Sequence, residues 1–111
     1  MQVELPTWVN DRLIATPSQI AEFCQRWNII EFALFGSVLR DDFRPDSDID
    51  VLVTFPPNYQ LTWDARMNMQ EEIENLCERK VDLVNKHYLN NPYRRSEILE
   101  TQQVIYEIEK A

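Results

Sequence analysis

Two carboxylates stand two residues apart at the start of an apolar segment. Asp48 and Asp50 flank Ile49, and the segment continues through Val53. Alternate side chains of a strand project from the same face, so we expect the two carboxylates to lie side by side, with Ile49, Val51 and Val53 in the core. Their repulsion is costly unless a cation neutralises it. Oxygen ligands of this kind suit magnesium, which shares its coordination shell with water and substrate phosphates.

A third carboxylate, Asp82, interrupts the short apolar segment at residues 81–84. An acid rarely does so without a partner, although a solvent-facing charge at a strand edge is the alternative. If this segment lies beside the strand of Asp48 and Asp50, three acids converge on one cleft. Such a set fits two-metal phosphoryl or nucleotidyl transfer, in which ions roughly 3.5–4 Å apart clamp the attacking and leaving oxygens. Asp48 and Asp50 would bridge the ions, while Asp82 would complete the second site and take up the proton of the acceptor hydroxyl.

The single glycine of the chain, Gly36, stands between an apolar segment and a predicted short helix. Without a Cβ it permits a sharp turn and lets a ligand approach the main chain closely. The helix that follows would direct N–H groups, from Ser37 onward, at the same place, and such helix starts bind phosphate. Taken alone, an ordinary strand-to-helix turn is the simpler explanation. The neighbouring carboxylates favour the phosphate interpretation.

Helix and strand signals alternate along the chain from Thr16 onward. Thr16-Pro17 marks the start of a helix that ends near Asn28, and further helices are predicted over residues 61–79 and from Asn91-Pro92 to about Thr101. Strands are predicted over residues 29–35, 48–55, 81–85 and 104–106, and a short helix over residues 38–40. The first strand is apolar on both faces, so we expect it to be central in the sheet.

This alternation predicts an α/β (α+β) fold with a small mixed sheet flanked by helices. Residues 1–111 fit a single domain. Residues 1–16 give the weakest signals and are predicted to form a short helix or an N-terminal arm that packs on a partner. Cys24 and Cys77 lie in apolar helical patterns and are predicted to be reduced, buried packing residues. His87, the only histidine, is predicted to be structural or at the surface.

The formal net charge of −8 argues against a long polynucleotide as substrate, because nucleic-acid binders rely on basic patches. It suits a small substrate carried with metal cations, or a basic protein partner. No apolar run approaches the ~20 residues that span a bilayer, and the first residues lack the pattern of a signal peptide. We therefore expect a cytoplasmic protein without a membrane partner.

The segments that carry this chemistry resemble a known signature. LFGSVLR at residues 34–40, followed by DID at residues 48–50, is similar to the signature of the polymerase-beta-type nucleotidyltransferase superfamily. The longer string RPDSDIDVLV at residues 44–53 resembles the minimal nucleotidyltransferases (MNT), which are encoded beside HEPN-domain proteins in toxin–antitoxin pairs. The resemblance covers residues 20–106 and includes KVDLV at residues 80–84.

This resemblance implies a set of site residues. Magnesium ligands, for two ions, would be Asp48, Asp50 and Asp82, and these residues would be catalytic. Triphosphate binding would fall to Gly36 and Ser37.

Further matches concern the loop between the two motifs. Arg40 matches a family arginine and would bind phosphate or pair with a local acid such as Asp46, two roles that the sequence leaves equally open. Arg44 and Ser47 would support the loop. The chain departs from the family where Thr101-Gln102-Gln103 replaces a segment that often contains glycine, which puts the turn before the last strand in question.

The resemblance also implies a biological role. MNT proteins are antitoxins of HEPN ribonuclease toxins, and their proposed activity is AMPylation, the transfer of AMP from ATP to a tyrosine of the toxin. We therefore expect a hetero-oligomer with a HEPN toxin that supplies part of the cleft. Two alternatives remain at this point. One is a binding module with a weak or silent site that neutralises the toxin by occlusion, and the other is transfer to a small molecule or an RNA end.

Five other side chains on the predicted helices have candidate roles. Arg94-Arg95 is interpreted as a solvated helix face, with contact to nucleotide phosphates as the alternative. Trp63 and Met67 are candidates for a partner surface. Met69 is predicted to be a core residue because of its helical spacing.

Overall fold

The computed structural model describes residues 12–40, 43–44 and 46–108. Within these ranges three α-helices accompany four strands: α1 (Pro17–Trp27), β1 (Glu31–Phe35), β2 (Ile49–Thr54), α2 (Trp63–Cys77), β3 (Val81–Asn85), α3 (Pro92–Thr101) and β4 (Gln103–Glu107). Short 3₁₀ turns follow β1 (Gly36–Leu39) and β3 (Lys86–Tyr88). The predicted elements are thus confirmed, with boundaries that move by one or two residues at most ends. Of the segment 1–16, for which a short helix or an arm was predicted, residues 1–11 lie outside the described residues and residues 12–13 are helical.

The four strands form one mixed sheet in the order β3-β2-β1-β4. Strand β1 pairs antiparallel with both β2 and β4, which confirms its predicted central position. Strands β2 and β3 run parallel, in a register that sets Asp50 opposite Asp82. A parallel pair needs a crossover connection, and α2 supplies it. This register decides which acids become neighbours.

Local signals explain where α1 begins and ends. The Thr16 side chain accepts a hydrogen bond from the Gln19 N–H, and the Gln19 side chain accepts one from the Thr16 N–H, so two otherwise unpaired donors are satisfied. Asn28 ends the helix in the left-handed conformation, with φ 60°. Both residues act as the sequence predicted.

The two faces of the sheet carry separate clusters of buried side chains. One face packs against α1 and α2 through residues such as Phe23, Phe32 and Ile73. The other face joins Leu52 of β2 to Ile98 of α3, together with Ala33, Phe35 and Leu89. Helix α3 therefore covers the face opposite α1 and α2. Since Asp50 and Leu52 are two residues apart on β2, Asp50 lies on the α3 side of the sheet.

Single residues outside the site follow their predicted roles in most cases. Both cysteines are free and buried, and burial raises the pKa of the Cys77 thiol to about 12. Met69 is fully buried, whereas Trp63 is 74% exposed. None of the helices in the described ranges is long and apolar enough to cross a bilayer.

The turn before β4 forms without the glycine common in the family. Gln102 connects α3 to β4 with φ −59°, a conformation open to any residue. The departure from the family pattern at residues 101–103 therefore does not prevent the turn before β4.

Two arginines fix the connection between β1 and β2. The Arg12 guanidinium donates to the carbonyl oxygens of Val38 (2.8 Å) and Arg40 (2.7 Å). Arg79 donates from Nη1 to the carbonyl oxygens of Arg44 and Ser47, at 2.8 Å each. Both guanidiniums also lie over the ring of Phe43, at 5.5 Å for Arg12 and 4.4 Å for Arg79. The last anchored carbonyl, of Ser47, immediately precedes Asp48.

Replacement of Arg79 by Gln should destabilise the fold. The variant loses charged hydrogen bonds to two carbonyls and the contact with Phe43, a change of about 1–3 kcal/mol in the free energy of unfolding. Urea denaturation monitored by circular dichroism measures it. Lys80→Gln is the matched control, because it removes an adjacent exposed cation. Equal stability of the Arg79 variant and the control would contradict the anchoring role.

Candidate active site

The three predicted acids lie at one end of the β2–β3 pair. Asp48 immediately precedes β2, Asp50 is the second residue of β2, and Asp82 is the second residue of β3. Asp50 and Asp82 are register partners on adjacent parallel strands, about 4.8 Å apart in the hydrogen-bonding direction. Asp48 and Asp50 flank the buried Ile49. The expected neighbourhood of the three acids is therefore present, and Asp82 lies beside Asp50 although its own side chain is exposed.

Asp50 lies close enough to the other two acids to feel their charges. Burial raises the pKa of Asp50 above its ordinary value, and the negative charges of Asp82 and Asp48 raise it further. The positive charges of Arg40 and Arg94 lower the pKa of the same carboxyl. Two other acids and two arginines therefore act on the Asp50 carboxyl.

Gly36 makes room for the Asp50 carboxylate. A Cβ at position 36 would fall inside the contact distance of Asp50 Oδ2 and lie 3.2 Å from its Cγ. The glycine also has φ 76°, a conformation that side chains rarely adopt. Phe35, the residue before it, is the register partner of Asp50 across β1 and β2. Sequence reasoning assigned the missing Cβ to a ligand, whereas the group that needs this space is a side chain of the site itself.

Ser37 connects the turn to the first acid. Its hydroxyl donates to the carbonyl oxygen of Asp48 at 3.5 Å. The short helix predicted over residues 38–40 is a 3₁₀ turn that begins two residues earlier, at Gly36, and ends at Leu39. Gly36, Ser37 and the acids therefore belong to one continuous site. In the following loop the Arg44 N–H donates to the Ser47 hydroxyl, in agreement with the supporting role predicted for both residues.

Arg94 is exposed, in agreement with the interpretation of the arginine pair as a solvated helix face. Its charge also acts on Asp50, and it lines a cavity of ≈ 190 Å³ with Gly36 and Arg40. Arg95 differs, because its guanidinium donates to the carbonyl oxygen of Lys86 at 3.3 Å. The sequence contained no signal that separates these neighbours, since their difference depends on where α3 docks.

The donor set fits magnesium in its chemistry. All three side chains offer carboxylate oxygens, the ligands that magnesium prefers, and the ion needs only one or two of them beside water and phosphate. In the described part of the chain, no group of three His, Cys, Asp or Glu side chains is close enough to hold an ion as it stands. Like charges without a cation remain apart, so the carboxylates would have to rotate towards an ion.

Replacement of Asp50 by Asn should stabilise the protein in the absence of divalent cations. The pKa of Asp50 is raised in the folded state, so its ionised form opposes folding. The stability associated with the protonated form is fully present below the unfolded-state pKa of about 4 and is lost as pH rises through the folded-state pKa. We expect a rise in Tm of a few degrees near neutral pH that shrinks as pH falls towards about 4.

Thermal melts with a chelator at several pH values measure this effect. Asp46→Asn, which removes an exposed acid from the same connection, is the control. A Tm for Asp50→Asn at or below that of the wild type near neutral pH would contradict the repulsion.

Replacement of Gly36 by Ala should cost stability through two separable causes. The left-handed φ costs about 1–3 kcal/mol at any non-glycine residue, and the new Cβ displaces the Asp50 carboxylate. A double-mutant cycle with Asp50→Ala separates them, because only the second cause vanishes in that background. We expect a coupling free energy of about 0.5–3 kcal/mol from urea denaturation. Strictly additive costs would show that Gly36 is required for its conformation alone.

Comparison with known proteins gives the family. The nucleotidyltransferase domain family matches residues 17–105. Protein adenylyltransferase MntA of Thermococcus cleftensis is 31% identical over 85 residues, which cover 77% of this chain and 81% of that protein.

Solved structures agree in fold. A toxin–antitoxin crystal structure with AMP-PNP superposes with a TM-score of 0.67 at 18% identity, covering 85% of this chain and 75% of the other. A complex of tri-AMPylated Shewanella oneidensis HEPN toxin with MNT antitoxin gives a TM-score of 0.60 at 17% identity, covering 83% and 70%. The chain therefore belongs to the nucleotidyltransferase domain family, among the minimal nucleotidyltransferases related to protein adenylyltransferase MntA, and is an enzyme of that kind.

Proposed function

We propose that this protein is an antitoxin that transfers AMP from ATP to a tyrosine hydroxyl of a HEPN ribonuclease toxin, with two magnesium ions. The observation that carries the proposal is the register of Asp50 with Asp82, beside Asp48 and Gly36. Burial and the charges of Asp82 and Asp48 raise the pKa of Asp50, so the ionised acid cluster opposes folding unless cations are bound. Its presence is easiest to explain by cation-dependent chemistry.

The nucleotide is proposed on chemical and comparative grounds. Asp48, Asp50 and Asp82 would hold the ions, which supply charge neutralisation for the triphosphate and the developing oxyanions. Gly36 and Ser37 would bind the terminal phosphates. Arg40 lines the same cavity of ≈ 190 Å³ as Gly36. A structural relative with the same fold was crystallised with AMP-PNP, an ATP analogue.

The proposed reaction is a single displacement at the α-phosphorus of ATP. The tyrosine oxygen attacks the α-phosphorus, the bond from that phosphorus to the bridging oxygen breaks, and its electron pair leaves with pyrophosphate. Asp82 is at the exposed edge of the acid cluster and is the residue proposed to accept the hydroxyl proton. The AMP then remains on the tyrosine as a phosphodiester.

The partner is proposed from fold relatives and from charge. One relative of the same fold is the MNT antitoxin in a complex with tri-AMPylated HEPN toxin. The net charge of −8 would steer a basic RNA-cleaving partner towards this surface. An acceptor tyrosine delivered by the partner suits an acid cluster in which Asp48 and Asp82 are exposed.

The double change Asp48→Asn, Asp50→Asn should abolish AMP transfer while the fold is retained. Both carboxylates would be needed to hold the ions, and the amides lack the negative charge that binds them. The assay incubates the protein with labelled ATP, magnesium and a HEPN toxin, and follows label on the toxin together with toxin ribonuclease activity. Glu71→Gln, which removes an exposed acid of α2 outside the site, serves as the control and should transfer AMP as the wild type does.

The same assay separates enzyme from binding module. If the double variant protects against the toxin as well as the wild type does, inhibition by occlusion replaces the proposed mechanism. Label on RNA or a small molecule, with none on the toxin, would redirect the acceptor.

A further inference from the structure

One face of helix α3 is directed towards the acid cluster. Ile98 is buried against Leu52 and Phe35 on the side of the sheet that carries Asp50. Arg94 precedes Ile98 by four residues, one helical turn, so the two side chains share a helix face. The packing of Ile98 therefore sets the direction in which Arg94 extends, towards the acids.

Arg94 of α3 and Arg40, which follows the 3₁₀ turn after β1, line one cavity. The cavity of ≈ 190 Å³ is bounded by Gly36 and Arg40 after β1, and by the stripe Arg94, Glu97, Ile98 and Thr101 of α3. Two guanidiniums in a space of this size form a site for an anion.

The position of Arg94 on its helix is electrostatically unfavourable in isolation. The first turn of α3 contains no acid, and Asn91 caps it by accepting from the N–H groups of Tyr93 and Arg94. A cation there adds to the positive end of the helix dipole. Glu97, one turn further on, lines the same cavity and offsets part of this charge. A phosphate anion would be attracted both by the guanidinium and by the helix end.

We propose that Arg94 is a phosphate-binding residue that, together with Arg40, holds the β- and γ-phosphates of the triphosphate and then the leaving pyrophosphate. The inference rests on the proposed function and adds a specific role to α3. As the bond between the α-phosphorus and the bridging oxygen breaks, negative charge grows on the pyrophosphate, and a bidentate guanidinium stabilises that charge without a proton transfer. The charge of Arg94 also acts on Asp50, which agrees with a place at the border of the metal site.

The test compares two adjacent arginines. Binding of inorganic pyrophosphate and of a non-hydrolysable ATP analogue, each with magnesium, is measured by calorimetry for the wild type, Arg94→Gln, Arg94→Lys and Arg95→Gln. We expect Arg94→Gln to weaken binding of both ligands by about ten- to hundredfold. Arg94→Lys should lose less, because it keeps the charge but not the fork geometry. Arg95→Gln should bind like the wild type, since Arg95 contacts the Lys86 carbonyl outside this cavity.

Kinetics add a second measurement. In the AMP-transfer assay, Arg94→Gln should raise the KM for ATP and weaken product inhibition by pyrophosphate by similar factors. Thermal melts check that each variant is folded, and Arg94→Lys carries the test if Arg94→Gln is not.

Each contrary outcome has a definite meaning. Transfer of AMP by the wild type with unchanged pyrophosphate binding in Arg94→Gln overturns the role of Arg94 and leaves the proposed function in place. Equal weakening in Arg94→Gln and Arg95→Gln assigns the effect to general charge and also overturns it. Failure of the wild type to bind either ligand with magnesium overturns the proposed function and this inference together.

Discussion

The site depends on a contact between a carboxylate and a residue that has no side chain. Asp50 Oδ2 occupies the space that a Cβ at position 36 would require, and Gly36 turns the chain there with φ 76°. Because β1 ends at this turn and β2 begins at the acids, the same contact fixes the end of one strand against the beginning of the next. The turn proposed to bind phosphate and the acid cluster are therefore one structural unit.

The acid cluster lowers the stability of the free protein, although the proposed function requires it. Burial raises the pKa of Asp50, the charges of Asp82 and Asp48 raise it further, and the sheet face that carries Asp50 is otherwise built from buried apolar residues. Metal ligands with like charge are costly in the free protein and become favourable only when cations arrive.

Local patterns made most of the fold predictable. The alternation at Asp48 and Asp50 gave the strand and its buried face, and Thr16, Asn28 and Asn91 marked helix ends because capping is a property of a few adjacent residues. The pairing of Asp50 with Asp82 could only be stated as a condition, since register depends on strand order. Nothing in the sequence around Arg12 or Arg79 indicates their contacts, which join carbonyls 26 to 35 residues away.

The anchoring of the β1–β2 connection has an evolutionary consequence. Arg12 and Arg79 bind main-chain carbonyl oxygens, which every amino acid possesses. Mutations that exchange most side chains of the connection would leave these hydrogen bonds intact, whereas loss of either arginine would release it. Among homologues that share this device, the positions of the connection that have no role in the site and no contact with the two arginines can vary, and part of the constraint on the connection should be found at Arg12 and Arg79 instead.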